Sequence, residues 1–313
     1  MGLLLYVLGL ILSLMYLSAI ELNNHPDYDS YLNYYRKYQS GTSIPIYNSG
    51  IKLYFDVNNY FQLIDIKTVY FINLLLCGTI SSIIFLQKKV SVTGIFVHTA
   101  FFWPLYSIVP LRGGPAYLLI TLATIASPNN RILSFFAGLL ACLFHISAIP
   151  ILLILIINFC STKIQSKYWL IYLIAVVLYI AKIFDPSLVN TIVSSAITMI
   201  ATGDMAKYSV YAVSARTIAT PHIIYFIILF LITFIYFKDR SALNSHKFII
   251  SSIILVSVII MIVPVVGFRI SLFATGTLFL IFPYRDYQIA VRSFLIFLSA
   301  AILLFSYYSL TNV

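Results

Sequence analysis

Runs of apolar residues recur along nearly the whole chain, broken by short polar connections, and nothing constrains the fold more. A backbone surrounded by lipid must satisfy its own N–H and C=O groups, so such runs become helices. They fall at about 3–20, 69–87, 90–109, 115–126, 132–145, 147–159, 168–184, 222–237, 248–265, 269–282 and 292–308. The pattern predicts an all-α polytopic membrane protein with about 11 transmembrane segments in one domain, residues 1–313. Of 313 residues 61% are hydrophobic and 9% charged, which excludes a soluble globular chain, where about 25% are charged. The run at 3–20 lacks a basic leader and a small-x-small cleavage site, so it reads as a first span rather than a signal peptide.

Three segments, 115–126, 132–145 and 147–159, are short for a hydrocarbon core of about 30 Å. They are half-helices around a buried site or, for 132–159, one long tilted helix with His145 in its middle. The basic residues favour the split. Lys88 and Lys89, Arg131, Lys163 and Lys167, Lys238, Arg240 and Lys247, and Arg285 and Arg292 then all fall on one side, the cytoplasmic one. An unsplit 132–159 would place several of them outside. The net charge of +10 follows from this topology, and its dispersal between spans excludes a nucleic-acid-binding patch.

The opposite side receives the long connections 21–66 and 185–221, with Arg112, Arg216 and Arg269 on or near it. Residues 189–202 within the second connection fit an amphipathic helix lying on the membrane. Cys77, Cys142 and Cys160 lie in apolar segments without metal or redox spacing and read as small core residues.

Ionisable groups in such a chain are costly, so each is a functional candidate. Arg112 precedes Gly113, Gly114 and Pro115. The glycines allow a turn and close backbone approach, and Pro115 suits the first position of a new helix, which together make an anion site beside a guanidinium fork. An arginine snorkelling to the interface is the alternative. Arg216 and Arg269, the latter after Gly267, also stand where irregular backbone meets a helix. Three arginines on one face suit a diphosphate. Asp27 and Asp29 form a D-x-D pair that could hold a divalent cation; a general base for a sugar hydroxyl, with Tyr28 and Tyr31 packing on sugar or anchoring the loop, fits better, and a solvated polar loop is the third reading. His145 suits acid–base work or an interhelical hydrogen bond.

Asp27-Tyr28-Asp29-Ser30-Tyr31, Arg112-Gly113-Gly114-Pro115-Ala116, Phe144-His145-Ile146-Ser147-Ala148 and Gly267-Phe268-Arg269 together resemble the EpsG-like branch of the Wzy-type polysaccharide polymerases. The resemblance implies a GT-C-like architecture in the bacterial inner membrane, with the active site on the periplasmic or outer face. It implies polymerisation of lipid-linked repeat units. The growing glycan on undecaprenyl diphosphate is the donor and a sugar hydroxyl of the incoming undecaprenyl-diphosphate-linked unit the acceptor, without nucleotide sugar, cofactor or metal. A chain-length regulator is the implied protein partner, alongside membrane lipid. Arg112, Arg216 and Arg269 would hold diphosphate; Asp27, Asp29 or His145, with Glu21 a further choice, would serve the hydroxyl. Tyr28, Tyr31 and Tyr211 would face sugar, and Gly113, Gly114 and Gly267 would shape the backbone. A lipid-linked oligosaccharide flippase and an O-antigen ligase-type transferase are the rival readings. A flippase calls for polar groups through the membrane depth and an internal repeat, neither of which is visible.

Overall fold

A computed structural model describes residues 28–41, 49–62, 66–87, 90–99, 111–185, 220–262 and 264–284, together with a few isolated positions. Every regular element among them is helical. The helices are α1 (Tyr28–Gln39), α2 (Ser49–Tyr60), α3 (Ile66–Phe85), α4 (Val92–Val97), α5 (Gly113–Ala126), α6 (Arg131–Phe144), α7 (Ile149–Cys160), α8 (Thr162–Gln165), α9 (Tyr168–Phe184), α10 (Thr220–Lys238), α11 (Asn244–Ile259) and α12 (Pro264–Ile281). Short 3-10 turns at Ile146–Ala148 and Ile260–Ile262 precede α7 and follow α11. The expected spans at 3–20 and 292–308, and the surface helix at 189–202, lie outside the described residues.

By length and composition one described helix, Ile66–Phe85, is long and apolar enough to cross a membrane; Gly113–Ala126, Arg131–Phe144 and Tyr168–Phe184 are among the shorter apolar ones. A 14-residue helix such as α5 rises about 21 Å, two-thirds of a hydrocarbon core. The described residues fall into two compact units, one within 1–156 and 276–313 and the other within 157–275.

In the first unit α5 is buried along its whole length, and α6 returns beside it. Asn130 caps α6 by accepting from the Leu133 N–H at 2.9 Å, and the Ser134 hydroxyl donates to the Ala123 carbonyl at 2.7 Å, tying the two helices together. The chain breaks at His145, and Gly138 of α6 faces Leu152 and Leu155 of α7, so 132–159 folds back as two helices rather than running as one.

The polar connection 21–66 is more structured than a loop, because it folds α1 and α2. Ile51, Tyr54, Phe55 and Asn58 are buried on one stripe of α2 at the i, i+3, i+4, i+7 spacing, and Tyr31 and Tyr35 line α1. Tyr35 packs on Phe55 with ring centroids 5.1 Å apart, and Tyr54 packs on Phe144 of α6 at 5.8 Å. The Tyr54 hydroxyl, fully buried, donates to Asn73 Oδ1 of α3 at 2.8 Å, and Asn58 donates to the Tyr35 hydroxyl at 3.1 Å. Tyrosine supplies apolar area for packing and a hydroxyl for the neighbouring polar group. At the exposed edge Asp56 accepts from Tyr38 at 2.7 Å and Lys52 at 2.8 Å.

In the second unit α9 and α11 form the main packed pair. Tyr225 of α10 bonds Ser271 at 2.8 Å and Thr275 at 2.7 Å on α12, so hydroxyls meet across the apolar interface instead of standing alone.

Replacing Tyr54 by Phe removes the closer of two donors to Asn73 Oδ1, the other being the Cys77 thiol at 3.8 Å, and lowers stability by about 1–3 kcal/mol, whereas Tyr38→Phe at the exposed edge costs less than about 1 kcal/mol; thermal unfolding in nanodiscs compares them. The α1–α2 pair also responds to pH. Partial burial pushes the Asp56 carboxyl up, but the bonds from Lys52 and Tyr38 and the Lys52 charge outweigh it and hold it below its ordinary value. Its contribution is therefore present above the usual carboxylate range and lost as pH falls through that lowered value. The bond to Asp56, then burial, pushes Tyr38 up to about 12, so its contribution is complete below the ordinary tyrosine value and lost as pH rises toward 12. Protection from hydrogen exchange in α1 and α2, taken relative to the intrinsic rate at each pH, should be greatest between these limits.

Candidate functional site at the ends of two helical units

In the first unit the start of α5 and the end of α6 lie at the same end of an antiparallel pair, which places Arg112 and His145 there together. The helix begins two residues earlier than the sequence suggests. Gly113 and Gly114 form its first turn, Arg112 is its N-cap residue, and Pro115 is third rather than first. The expected glycine turn is thus a helical turn. Pro115 is tolerated because N–H groups of a first turn have no partner within the helix, and the remaining ones stay directed toward the Arg112 end. Arg112 is half-buried, and its guanidinium stands 5.8 Å from the ring centroid of Tyr34 on α1.

His145 is extended and acts as the N-cap of the following 3-10 turn. Its Nδ1 accepts from the Ser147 N–H at 3.2 Å and lies 2.6 Å from the Ser147 hydroxyl. Accepting at Nδ1 leaves the proton of a neutral ring on Nε2 of the half-buried imidazole.

Asp29 is exposed in the first turn of α1, where its charge favours the helix N-terminus, and Tyr28 beside it is half-buried. Tyr31, expected to offer a face to sugar, is instead 3% exposed and packs edge-on against Tyr70 of α3. Three residues on, Tyr34 is the aromatic ring beside Arg112; the D-Y-x-x-Y motif stopped one turn short of it. Asp27, Tyr211 and Arg216 lie outside the described residues.

In the second unit the end of α9, the start of α10, the end of α11 and the start of α12 meet at one end. The Tyr179 hydroxyl reaches the His222 carbonyl at 3.4 Å, and His222 meets Phe268 edge-on. Arg269 is half-buried in the second turn of α12, with no hydrogen bond or ion pair to its guanidinium among the described residues. Gly267, expected to shape backbone for a ligand, serves packing. A Cβ there would stand 2.6 Å from the Ser257 carbonyl oxygen, on backbone that cannot yield cheaply.

Two further polar groups at this end escape the sequence reading. Lys182, 2% exposed, donates from Nζ to the Val258 carbonyl and, at 3.1 Å, to that of Ile259. His222 is 7% exposed, and neither ring nitrogen has a hydrogen-bond partner among the described residues. A lysine inside the final turn of an otherwise apolar run was the available signal for the first.

A model of the EpsG family matches residues 4–313. The chain belongs to the EpsG family. That membership points to a membrane protein of polysaccharide-polymerase type, in keeping with the helical, apolar character of this EpsG-family chain. No curated protein and no solved structure matches it.

Replacing His145 by Ala removes the cap acceptor and should lower thermal stability by about 1 kcal/mol, whereas His145→Asn keeps an acceptor in place and should recover most of the loss. The pair separates the capping role from any loss of activity that both variants share.

Proposed function

We propose that this EpsG-family protein joins undecaprenyl-diphosphate-linked oligosaccharide repeat units. In the reaction a hydroxyl of the incoming unit attacks the anomeric carbon of the growing chain. A glycosidic C–O bond forms, the bond from that carbon to the diphosphate oxygen breaks, and the hydroxyl proton passes to a base. Undecaprenyl diphosphate leaves. The observation that carries this reading is the family match across nearly the whole chain.

The chemistry needs negative charge stabilised on the departing diphosphate, and guanidinium forks held in low dielectric do this well. Arg112, with Tyr34 against it, and Arg269, without a hydrogen-bond or ion-pair partner among the described residues, are the contacts we assign to diphosphate oxygens, with Arg216 joining them. Asp29 or Asp27 takes the hydroxyl proton in this reading. His145, donating from Nε2, orients a substrate oxygen, and Tyr28 and Tyr211 face sugar.

We place the protein in the bacterial inner membrane with about eleven spans, a GT-C-like arrangement and its site toward the outer face. The distribution of charge in the second unit supports that orientation. Lys167, Lys238, Arg240 and Lys247 gather at the end of the unit where α9 and α11 begin, and Lys247 lies 5.3 Å from the Tyr168 ring; Arg269 lies toward the other end. Membrane lipid and a chain-length regulator are the partners in this scheme.

Cells lacking the gene should carry single repeat units on the final carrier where the wild type shows a ladder. Lipid-linked units trapped on the cytoplasmic side would mean a flippase, and long chains left on undecaprenyl diphosphate a ligase. Arg112→Lys and Arg269→Lys keep the charge and lose the fork, so each should reach the membrane normally yet lower polymer by at least about tenfold. Normal ladders from both would remove the diphosphate assignment.

A further inference from the structure

The buried lysine of α9 has no part in the reaction as drawn, yet its position is specific. α11 ends at Ile259, and the last four carbonyls of a helix have no partner within it. Lys182 reaches two of them, Val258 and Ile259, from the neighbouring helix. Immediately beyond, the chain reverses through Ile260–Ile262 and starts α12 at Pro264. The first turn of α12 is pressed onto the same helix end from the other direction. Gly267 is so close that an added Cβ would meet the Ser257 carbonyl at 2.6 Å and the Met261 backbone at 3.0 Å. Arg269 follows two residues later. The end of α11 is therefore held by Lys182 and in turn sets where α12 and Arg269 begin.

Stability alone does not call for this lysine. Burying an amine costs free energy that an apolar side chain of similar length would not incur, and helix C-termini are ordinarily closed by glycine or water. What the amine provides is a fixed point. Two donated bonds to consecutive carbonyls fix the direction in which the helix ends, which apolar contact leaves free to slide.

We propose that Lys182 is a positioning residue for Arg269: it holds the α11–α12 reversal so that the guanidinium meets its anionic ligand in one orientation. This rests on the reading of Arg269 as a diphosphate contact, so the test has one readout that does not depend on it. In the full chain reconstituted in nanodiscs, Lys182→Met should raise amide exchange across 257–268 by about tenfold while leaving α5 and α6 unchanged, and Lys182→Arg should restore protection. In cells, polymer from Lys182→Met should fall toward the level of Arg269→Lys, and the double variant should fall no further, because both changes disable one element. Recovery of polymer by Lys182→Arg completes the expected pattern.

Unchanged exchange in Lys182→Met would overturn the proposal, and so would losses that multiply in the double variant. If Lys182→Met does not accumulate, Lys182→Leu, which also lacks a donor, takes its place with the same criteria. Normal polymer from Arg269→Lys alone would end the diphosphate reading, while the exchange measurement would still decide whether Lys182 holds the reversal.

Discussion

Helix ends are the hard part of this fold. An apolar helix satisfies its own backbone along its length and leaves four carbonyls at one end and four N–H groups at the other. Where the surroundings are apolar, something must reach them. Lys182 serves the end of α11, and Lys247 does the same for α10, donating to the Phe237 carbonyl at 3.1 Å and the Asp239 carbonyl at 2.8 Å. Both are basic side chains at helix C-termini, the end that favours positive charge. Asn130 and the ring of His145 perform the complementary task at N-termini. Part of the polar inventory of the helical units thus closes helix ends, and the rest ties helices to one another, as Tyr225 does with Ser271 and Thr275.

The same constraint sorts charge. A cation fastened to carbonyls stays where the helix stops, and an arginine beside an aromatic ring gains an attractive partner without being neutralised. Beside Tyr34 the Arg112 guanidinium meets an aromatic face, and a quadrupole attracts a cation but cannot cancel it. Each unit carries a candidate arginine at such an end, and the carboxylate of Asp29 projects exposed on α1.

Much of this was legible from residue order. Among the described residues the apolar runs at 69–87, 115–126, 132–145, 147–159, 168–184 and 222–237 are helices at nearly the expected bounds, and the basic residues between them argued correctly for a break near His145. Less visible was the helical pair inside 21–66. Its buried stripes are built from tyrosine and asparagine, which read as polar although Tyr31, Tyr35 and Tyr54 spend their rings on packing. Glycine misled in a different way. Near an arginine it suggests backbone shaped for a ligand, yet Gly267 is required by the neighbouring helix, and Gly50 packs so tightly under Phe144 that a Cβ would lie 2.9 Å from its Cα. Sequence shows that a side chain is missing and not what fills the space. Lys182 and His222 were hidden by their apolar neighbours, since a hydropathy profile averages a single polar residue away.

A chain selected only to cross a bilayer would gain from long, unbroken helices. This one stops α6 after 14 residues, restarts through an extended histidine and a 3-10 turn, and starts α5 with two glycines. Glycine in a helix costs up to about 1 kcal/mol relative to alanine, and each break exposes backbone groups that must be satisfied again. The breaks are also not scattered. In the first unit the start of α5 and the end of α6 coincide at the Arg112 end, and in the second the α11–α12 reversal lies just before Arg269. Within a membrane, irregular backbone persists where it lines a protein-enclosed or water-filled space rather than facing lipid. The positions that are costly for a membrane helix are therefore the ones beside which the candidate arginines stand.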